Sequence, residues 1–363
     1  MNETASARPV RVLIVDDSAF MRTALARMIA SEAGFEVVAT ASSGTEALEI
    51  IAAHDPDVVT LDVQMPGLDG LATLRCIMQR FPRPVIMVSA VTDKDAEITF
   101  NALSAGAFDY VPKQLSQASL DIGHIRSDLI AKIRAAAAAR RQRAAWASTR
   151  KPAQSVGLKA AAVVSAVAPA VVAIGVSTGG PKALQEILPR FPRDFPVPIL
   201  IVQHMPAGFT GPYAQRLDAL CAIAVREASA RELIQPATAY IAPAGLHMRV
   251  ERRLSDSRAI IALDPQPDDV LHIPSVDVLM KSVAAFYGTN ALGVIMTGMG
   301  SDGAEGMKAI YSAGGLTIGQ DEASCTVYGM PRACAELGIL ARIVPLNDIP
   351  AQILQATRRR MPA

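Results

Sequence analysis

The sequence predicts an α/β protein made of two doubly wound parallel-sheet domains joined by a linker. Three observations carry this. From Arg11 to about Leu115, short apolar runs alternate with stretches of helical periodicity, and from Val171 onward a second series of the same kind begins. Between them, Lys132 to Ala160 holds eight Lys or Arg, no acid and a run of five alanines. A length of 363 residues suits two domains, each able to bury its own core. The expected boundaries are 9–127 for the first domain, 128–168 for a basic, Ala-rich linker and 169–360 for the second domain.

In the first series VRVLIVDD, EVVATA, DVVTLDV, PVIMVSA and AFDYVPK read as strands, separated by the helical patterns FMRTALARMIA, TEALEIIAA, GLATLRCIMQR and AEITFNALSAG. Sheets of this kind carry their chemistry at the carboxyl ends of the strands. The linker reads as helical at first, without useful apolar periodicity, then flexible through KPAQSVG. In the second series the strands are VVAIGV, PILIVQH, ATAYIAP, ALGVIMTG and LTIGQ, while HMRVERR and AIIALD read as a β-hairpin inserted among them.

Composition narrows the function classes. With 35 basic and 34 acidic side chains, nothing global points to a nucleic-acid partner, although the basic linker could touch an anionic surface. The N-terminus MNETASARPV lacks an apolar core for a signal peptide, and no apolar run approaches the roughly 18 to 20 residues of a membrane span. A cytoplasmic protein without membrane insertion is expected. Cys76, Cys221, Cys325 and Cys334 are scattered without C-x-x-C spacing, which predicts reduced, buried thiols rather than a disulfide framework or a zinc ribbon.

Asp16 and Asp17 end the first strand and Asp62 ends the third. Doubly wound topology brings those ends together, and three converging carboxylates call for a hard divalent cation such as Mg2+. Ser89 and Lys113, after the fourth and fifth strands, supply a hydroxyl and an ammonium that can bind phosphoryl oxygens. The plainer reading is that these aspartates merely cap helices; five matching residues at strand ends weigh against it. Residues 11 to 115 resemble the receiver domain of bacterial two-component response regulators, which implies a flavodoxin-like fold. By that resemblance Asp62 accepts the phosphoryl group, Asp16 and Asp17 with Asp62 hold Mg2+, Ser89 and Lys113 bind the phosphoryl group, and Tyr110 is the switch aromatic. Gln114 stands where that family usually has proline.

In the second domain, AIGVSTGGP at Ala173 to Pro181 sets Ser177 among glycines where a strand turns into a helix. Such a turn can cradle a phosphate or present a nucleophile. It lacks the Walker lysine and the G-x-G-x-x-G fingerprint. Only His204, His247 and His272 could serve a serine there as base, and His204, at a strand's carboxyl end, ranks first by position. In MTGMGSDGAEGM, four glycines surround Met299 and Asp302, so backbone amides can approach an oxyanion and the aspartate can orient a histidine. Asp302 with Glu305 also reads as a capping box for the helix AEGMKAI. Ser177, His204 and Asp302 occur in an order foreign to the α/β-hydrolases, which points to a different fold.

Together GVSTGGP, QHMPAGF, IAPAG, PSVDVLM and MTGMGSDGAEGM resemble the catalytic domain of the chemotaxis protein-glutamate methylesterases. Val176 stands where that family usually has alanine. The resemblance implies a Rossmann-like domain that hydrolyses glutamate γ-methyl esters on the cytoplasmic helices of methyl-accepting chemotaxis receptors and deamidates some of their glutamines. It implies Ser177, His204 and Asp302 as a catalytic triad, an oxyanion site at Met299 and the Ser177 to Thr178 turn, and no metal in that step. It further implies a chemotaxis histidine kinase as phosphodonor and a receiver that covers the cleft until phosphorylated. The same chemistry on a signalling target outside chemotaxis is the alternative. A DNA-binding output domain is disfavoured because no compact helical module with a basic recognition face follows the linker.

Overall fold

The computed structural model describes residues 8–89, 93–113, 119–148 and 168–358. The chain divides into two compact units, Met1–Ala153 and Gln154–Ala363. Gln114 and residues 149–167 of the expected linker lie outside the described residues.

The first unit alternates as expected: β1 (Val10–Val15), α1 (Ala19–Ala30), β2 (Phe35–Ala41), α2 (Gly44–His54), β3 (Val58–Asp62), α3 (Gly70–Arg80), β4 (Val85–Ser89), α4 (Asp93–Ser104), β5 (Asp109–Pro112) and α5 (Ser119–Ser148). The strands pair in parallel in the order β2-β1-β3-β4-β5, the flavodoxin-like arrangement. Every residue of β3 and β4 is buried, because helices on both faces leave no strand face to water. Ser18, Ser43 and Asp69 cap α1, α2 and α3 through their side chains.

The linker expectation changes at α5. Leu129, Ile130, Ile133, Ala136 and Ala137 are buried in the core with Ile14 and Val58, spaced as one face of a helix. Farther along, Arg140 donates to the Pro56 carbonyl at 2.6 Å and to Asp55 at 3.0 Å, tying the helix to the turn before β3. Residues 128 to 140 therefore pack as part of the receiver. The apolar stripe escaped detection because alanines, rather than large side chains, continue it beyond Ile133.

The second unit contains β6 (Val171–Val176), α6 (Gly180–Ile187), β7 (Ile199–Gln203), α7 (Thr210–Asp218), β8 (Ala224–Glu227), β9 (Thr238–Ile241), β10 (His247–Arg252), β11 (Ala259–Asp264) and α8 (Val276–Tyr287). It continues through β12 (Ala291–Ile295), α9 (Ala304–Ser312), β13 (Leu316–Gln320), α10 (Met330–Glu336), β14 (Arg342–Val344) and α11 (Ile349–Thr357). Seven strands pair in parallel in the order β14-β13-β12-β6-β7-β9-β8, and β10 with β11 forms the expected antiparallel hairpin. The edge strands β8 and β14 were missed; at 4 and 3 residues they are too short to show a period. Pro181 lies in the first turn of α6, and Leu184, Ile187 and Leu188 are fully buried.

After β6 the chain moves to β7 on one side and returns later to β12 on the other. The crevice outside the carboxyl ends of β6 and β12 is thus the topological switch point, where sheets of this class place ligands. Among the described residues no helix is long and apolar enough to cross a membrane.

Candidate active site and phosphoacceptor site

At the carboxyl edge of the first sheet, Asp16, Asp17 and Asp62 offer carboxylate oxygens that all lie within 4.8 Å of one another. Asp16 is fully buried and Asp62 nearly so, while Asp17 is open to solvent. The Lys113 ammonium bridges two of them, 3.0 Å from Asp16 and 2.7 Å from Asp62. Its backbone amide donates to the Ser89 carbonyl at 2.7 Å, and Thr99 donates to the Ser89 hydroxyl at 2.9 Å. Burial raises the Asp62 carboxyl above its ordinary value even against Lys113. Burial would lower the Lys113 ammonium, but its bonds to Asp62 and Asp16 outweigh this and hold it above the usual range.

All five strand-end residues converge, and none of the three aspartates serves as the helix cap that the plainer reading required. Asp16 instead accepts from the Ser18 amide, and Asp62 from the Gln64 amide. Three acidic oxygens with an exposed member fit a hard cation that keeps water ligands, so Asp16, Asp17 and Asp62 are the residues that would hold Mg2+. Tyr110 is buried, and the Lys132 ammonium donates to its carbonyl at 2.7 Å.

The second site forms at the switch point. Ser177 directly follows β6, its amide donating to the Thr297 carbonyl and its carbonyl accepting from the Gly180 amide. Gly179 needs its left-handed backbone, φ 78°, and a Cβ there would sit 2.4 Å from Thr326. A Cβ on Gly298 would lie 2.9 Å from that of Ser177, so glycine lets the Gly298 to Met299 peptide approach the serine. The Thr178 and Met299 amides donate to no described group and remain available to a ligand.

His204, directly after β7, places Nε2 2.8 Å from Asp302 Oδ2. A carboxylate accepts, so Nε2 carries the proton and Nδ1 offers its lone pair. That Nδ1 is buried and has no hydrogen-bond partner among the described residues. The structure therefore joins His204 to Asp302, while the Ser177 hydroxyl makes no hydrogen bond to the imidazole.

Asp302 does not cap its own helix as the capping-box reading had it. Gly303 stands at the start of α9 without a side-chain cap. The Asp302 carboxylate turns to the start of α8 and accepts from the Val276 amide at 2.7 Å, the Asp277 amide at 3.0 Å and the Ser275 hydroxyl at 2.8 Å. Burial pushes this carboxyl up, but bonds from His204 and those amides outweigh it and hold it well below the usual carboxylate range.

Several contributors had no clear sequence signal. Gln203 donates to the Ser177 and His204 carbonyls at 3.1 and 2.8 Å, clamping serine loop to histidine loop. Thr297 donates to the Thr178 carbonyl at 2.9 Å. The ring of His272 stacks on His204 with centroids 4.1 Å apart, so it faces the first-ranked histidine rather than competing with it. Ser275 caps α8, its hydroxyl accepting from the Val278 amide.

The cysteines are all free. Cys334 is buried and its thiol is pushed up to about 12.

Two doubly wound units, one with a phosphoacceptor-type carboxylate cluster and the other with a paired histidine beside a serine turn, define a response regulator with an enzymatic output domain. Comparison with known proteins agrees: residues 12–122 match the response regulator receiver domain and residues 172–353 match CheB methylesterase. The chain belongs to the CheB methylesterase family. It is 50% identical to a protein-glutamate methylesterase/protein-glutamine glutaminase of Nitratidesulfovibrio vulgaris, covering 95% of this chain and 98% of that protein. A protein of the same name from Pyrococcus horikoshii is 42% identical, covering 96% of this chain and 94% of that one. The crystal structure of the Thermotoga maritima CheB methylesterase catalytic domain is 36% identical, with a TM-score of 0.50 over 52% of this chain and 99% of that structure.

Proposed function

We propose that this protein is a phosphorylation-activated, cytoplasmic protein-glutamate methylesterase and glutamine deamidase acting on chemoreceptor helices, with Ser177, His204 and Asp302 as its triad. The observation that carries this is the His204–Asp302 pair: Nε2 is spent on Asp302 at 2.8 Å, leaving the buried Nδ1 as the one ring nitrogen able to take a proton.

Nδ1 accepts the Ser177 hydroxyl proton as Oγ attacks the ester carbonyl, and later delivers it to the departing methoxide, giving methanol. Asp302 holds the tautomer and stabilises the imidazolium. The Met299 and Thr178 amides bind the oxyanion, each such donor contributing about 3 kcal/mol to the transition state. Water, activated by the same nitrogen, then releases free glutamate from the acyl-serine. With a glutamine side chain the same steps release ammonia.

In the receiver, an Asp62 oxygen attacks the phosphorus of a phosphodonor such as the phosphohistidine of a histidine kinase; the O–P bond forms as the P–N bond breaks and the imidazole departs. Lys113 and Ser89 bind phosphoryl oxygens. Bound Mg2+ would neutralise charge among Asp16, Asp17, Asp62 and the phosphoryl group.

A fluorophosphonate probe tests the assignment: mass spectrometry should find one adduct, on Ser177. An adduct elsewhere, with Ser177 unmodified, contradicts it.

A further inference from the structure

We infer that His247 is a positioning residue for the esterase reaction, holding the turn that orients Asp302; this rests on the triad proposed above. His247 begins β10 and is fully buried. Its Nε2 lies 2.9 Å from the Pro267 carbonyl, and its Nδ1 lies 3.0 Å from the Ser275 amide nitrogen. A carbonyl only accepts and an amide N–H only donates, so both contacts require one tautomer: neutral, with the proton on Nε2.

The amide held in this way belongs to the residue whose hydroxyl donates to Asp302 Oδ1 at 2.8 Å. The next two amides, of Val276 and Asp277, also donate to Asp302. An unbroken chain of hydrogen bonds thus runs from Pro267 through His247, Ser275 and Asp302 to His204. Asp302 takes its place from the first turn of α8, and the first turn of α8 takes its place from His247. Removing the Nδ1 acceptor leaves the Ser275 amide, in a buried residue, without its partner. The turn must then shift to find another, and a displacement of order 1 Å in a catalytic group can cost about 100-fold in rate. His247 and Ser275 are both buried and offer no open surface to a substrate, so the loss should fall on kcat.

The two ring nitrogens make the test specific. In His247→Asn, the side-chain carbonyl can occupy the Nδ1 position and still accept from Ser275. In His247→Gln, the amide nitrogen can reach the Nε2 position and donate to Pro267, but nothing replaces Nδ1. Phenylalanine at this position preserves bulk and neither bond. Assayed in the full-length protein on methylated receptor membranes, His247→Asn should stay within about threefold of wild-type kcat. The Gln and Phe variants should lose about 10- to 100-fold in kcat with KM little changed.

Full activity in His247→Gln, or equal losses in Asn, Gln and Phe that follow their melting temperatures, would overturn the inference. Should the variants not fold, 15N-histidine NMR of the wild-type chain decides: His247 must show the Nε2–H tautomer, and an Nδ1–H tautomer or imidazolium refutes the coupling. A Ser177→Ala control separates the two levels. Activity in that variant sinks the triad itself, whereas an inactive Ser177→Ala beside a fully active His247→Gln sinks only the role of His247.

Discussion

Asp302 and Asp277 cap each other's helices. Asp302, just before α9, accepts two amides at the start of α8 as well as the Ser275 hydroxyl; Asp277, in the first turn of α8, accepts the Gly306 amide of α9 at 2.7 Å. Helix starts leave backbone amides unpaired, so each carboxyl supplies acceptors that the neighbouring helix lacks. The crossing gives the two helices a joint, and Asp302 still has an edge to offer His204.

Asp302→Asn should therefore leave a folded protein with little activity. The amide cannot hold the imidazole in the Nε2–H tautomer through a carboxylate, and kcat should fall on the order of 10^3- to 10^4-fold. Steady-state methanol release with a parallel thermal melt checks this; loss of the fold instead of the rate would show that the joint matters more than the orientation.

The same two aspartates have opposite pH linkage. Asp302 is held below the usual carboxylate range, so its ionisation contributes stability that is present above the unfolded value and lost as pH falls towards the folded one. Asp277 is raised by burial and then by the Asp302 charge, so its ionisation costs stability as pH rises from the unfolded value through the folded one. Denaturant unfolding between about pH 2 and pH 6 should show the gap between wild type and Asp302→Asn widening as pH rises. Against Asp277→Asn it should narrow.

Asp62→Asn should abolish the rise in esterase activity produced by acetyl phosphate and Mg2+, because no carboxylate remains to accept the phosphoryl group. Stimulation that survives this change, measured as methanol release with and without the donor, would remove Asp62 from its role.

Packing of α5 also predicts a stability effect. Ile133 is fully buried in the receiver core, so Ile133→Ala should destabilise that unit by about 2 to 5 kcal/mol, measured by chemical denaturation. A solvated linker residue would change stability by less than about 0.5 kcal/mol.

What the sequence displayed was whatever repeats or stands alone. Strands β1, β3, β4 and β5 announced themselves as short, mostly apolar runs, and Asp16, Asp62, Ser89 and Lys113 stood at or just past their ends. Ser177 and His204 could be ranked because glycines and strand ends mark places where backbone meets ligand. What stayed hidden depended on partners distant in the chain. Asp302 could be read as an orienter of a histidine or as a cap for α9, but not as a partner of α8, because a local pattern says nothing about a helix start some 26 residues earlier. The role of His247 emerged only once Pro267 and Ser275 closed around it. In α5, alanines filled the core face where a larger apolar residue would have signalled it.

The proposed roles of Ser177 as nucleophile and His204 as its base rest on ester cleavage. Methanol release from methylated receptor membranes, compared between wild type and Ser177→Ala with and without acetyl phosphate, tests them most directly. Wild type should release methanol, faster with the phosphodonor, while Ser177→Ala should release none yet still take up phosphoryl at Asp62. Release by Ser177→Ala at the wild-type rate would rule out Ser177 as the nucleophile.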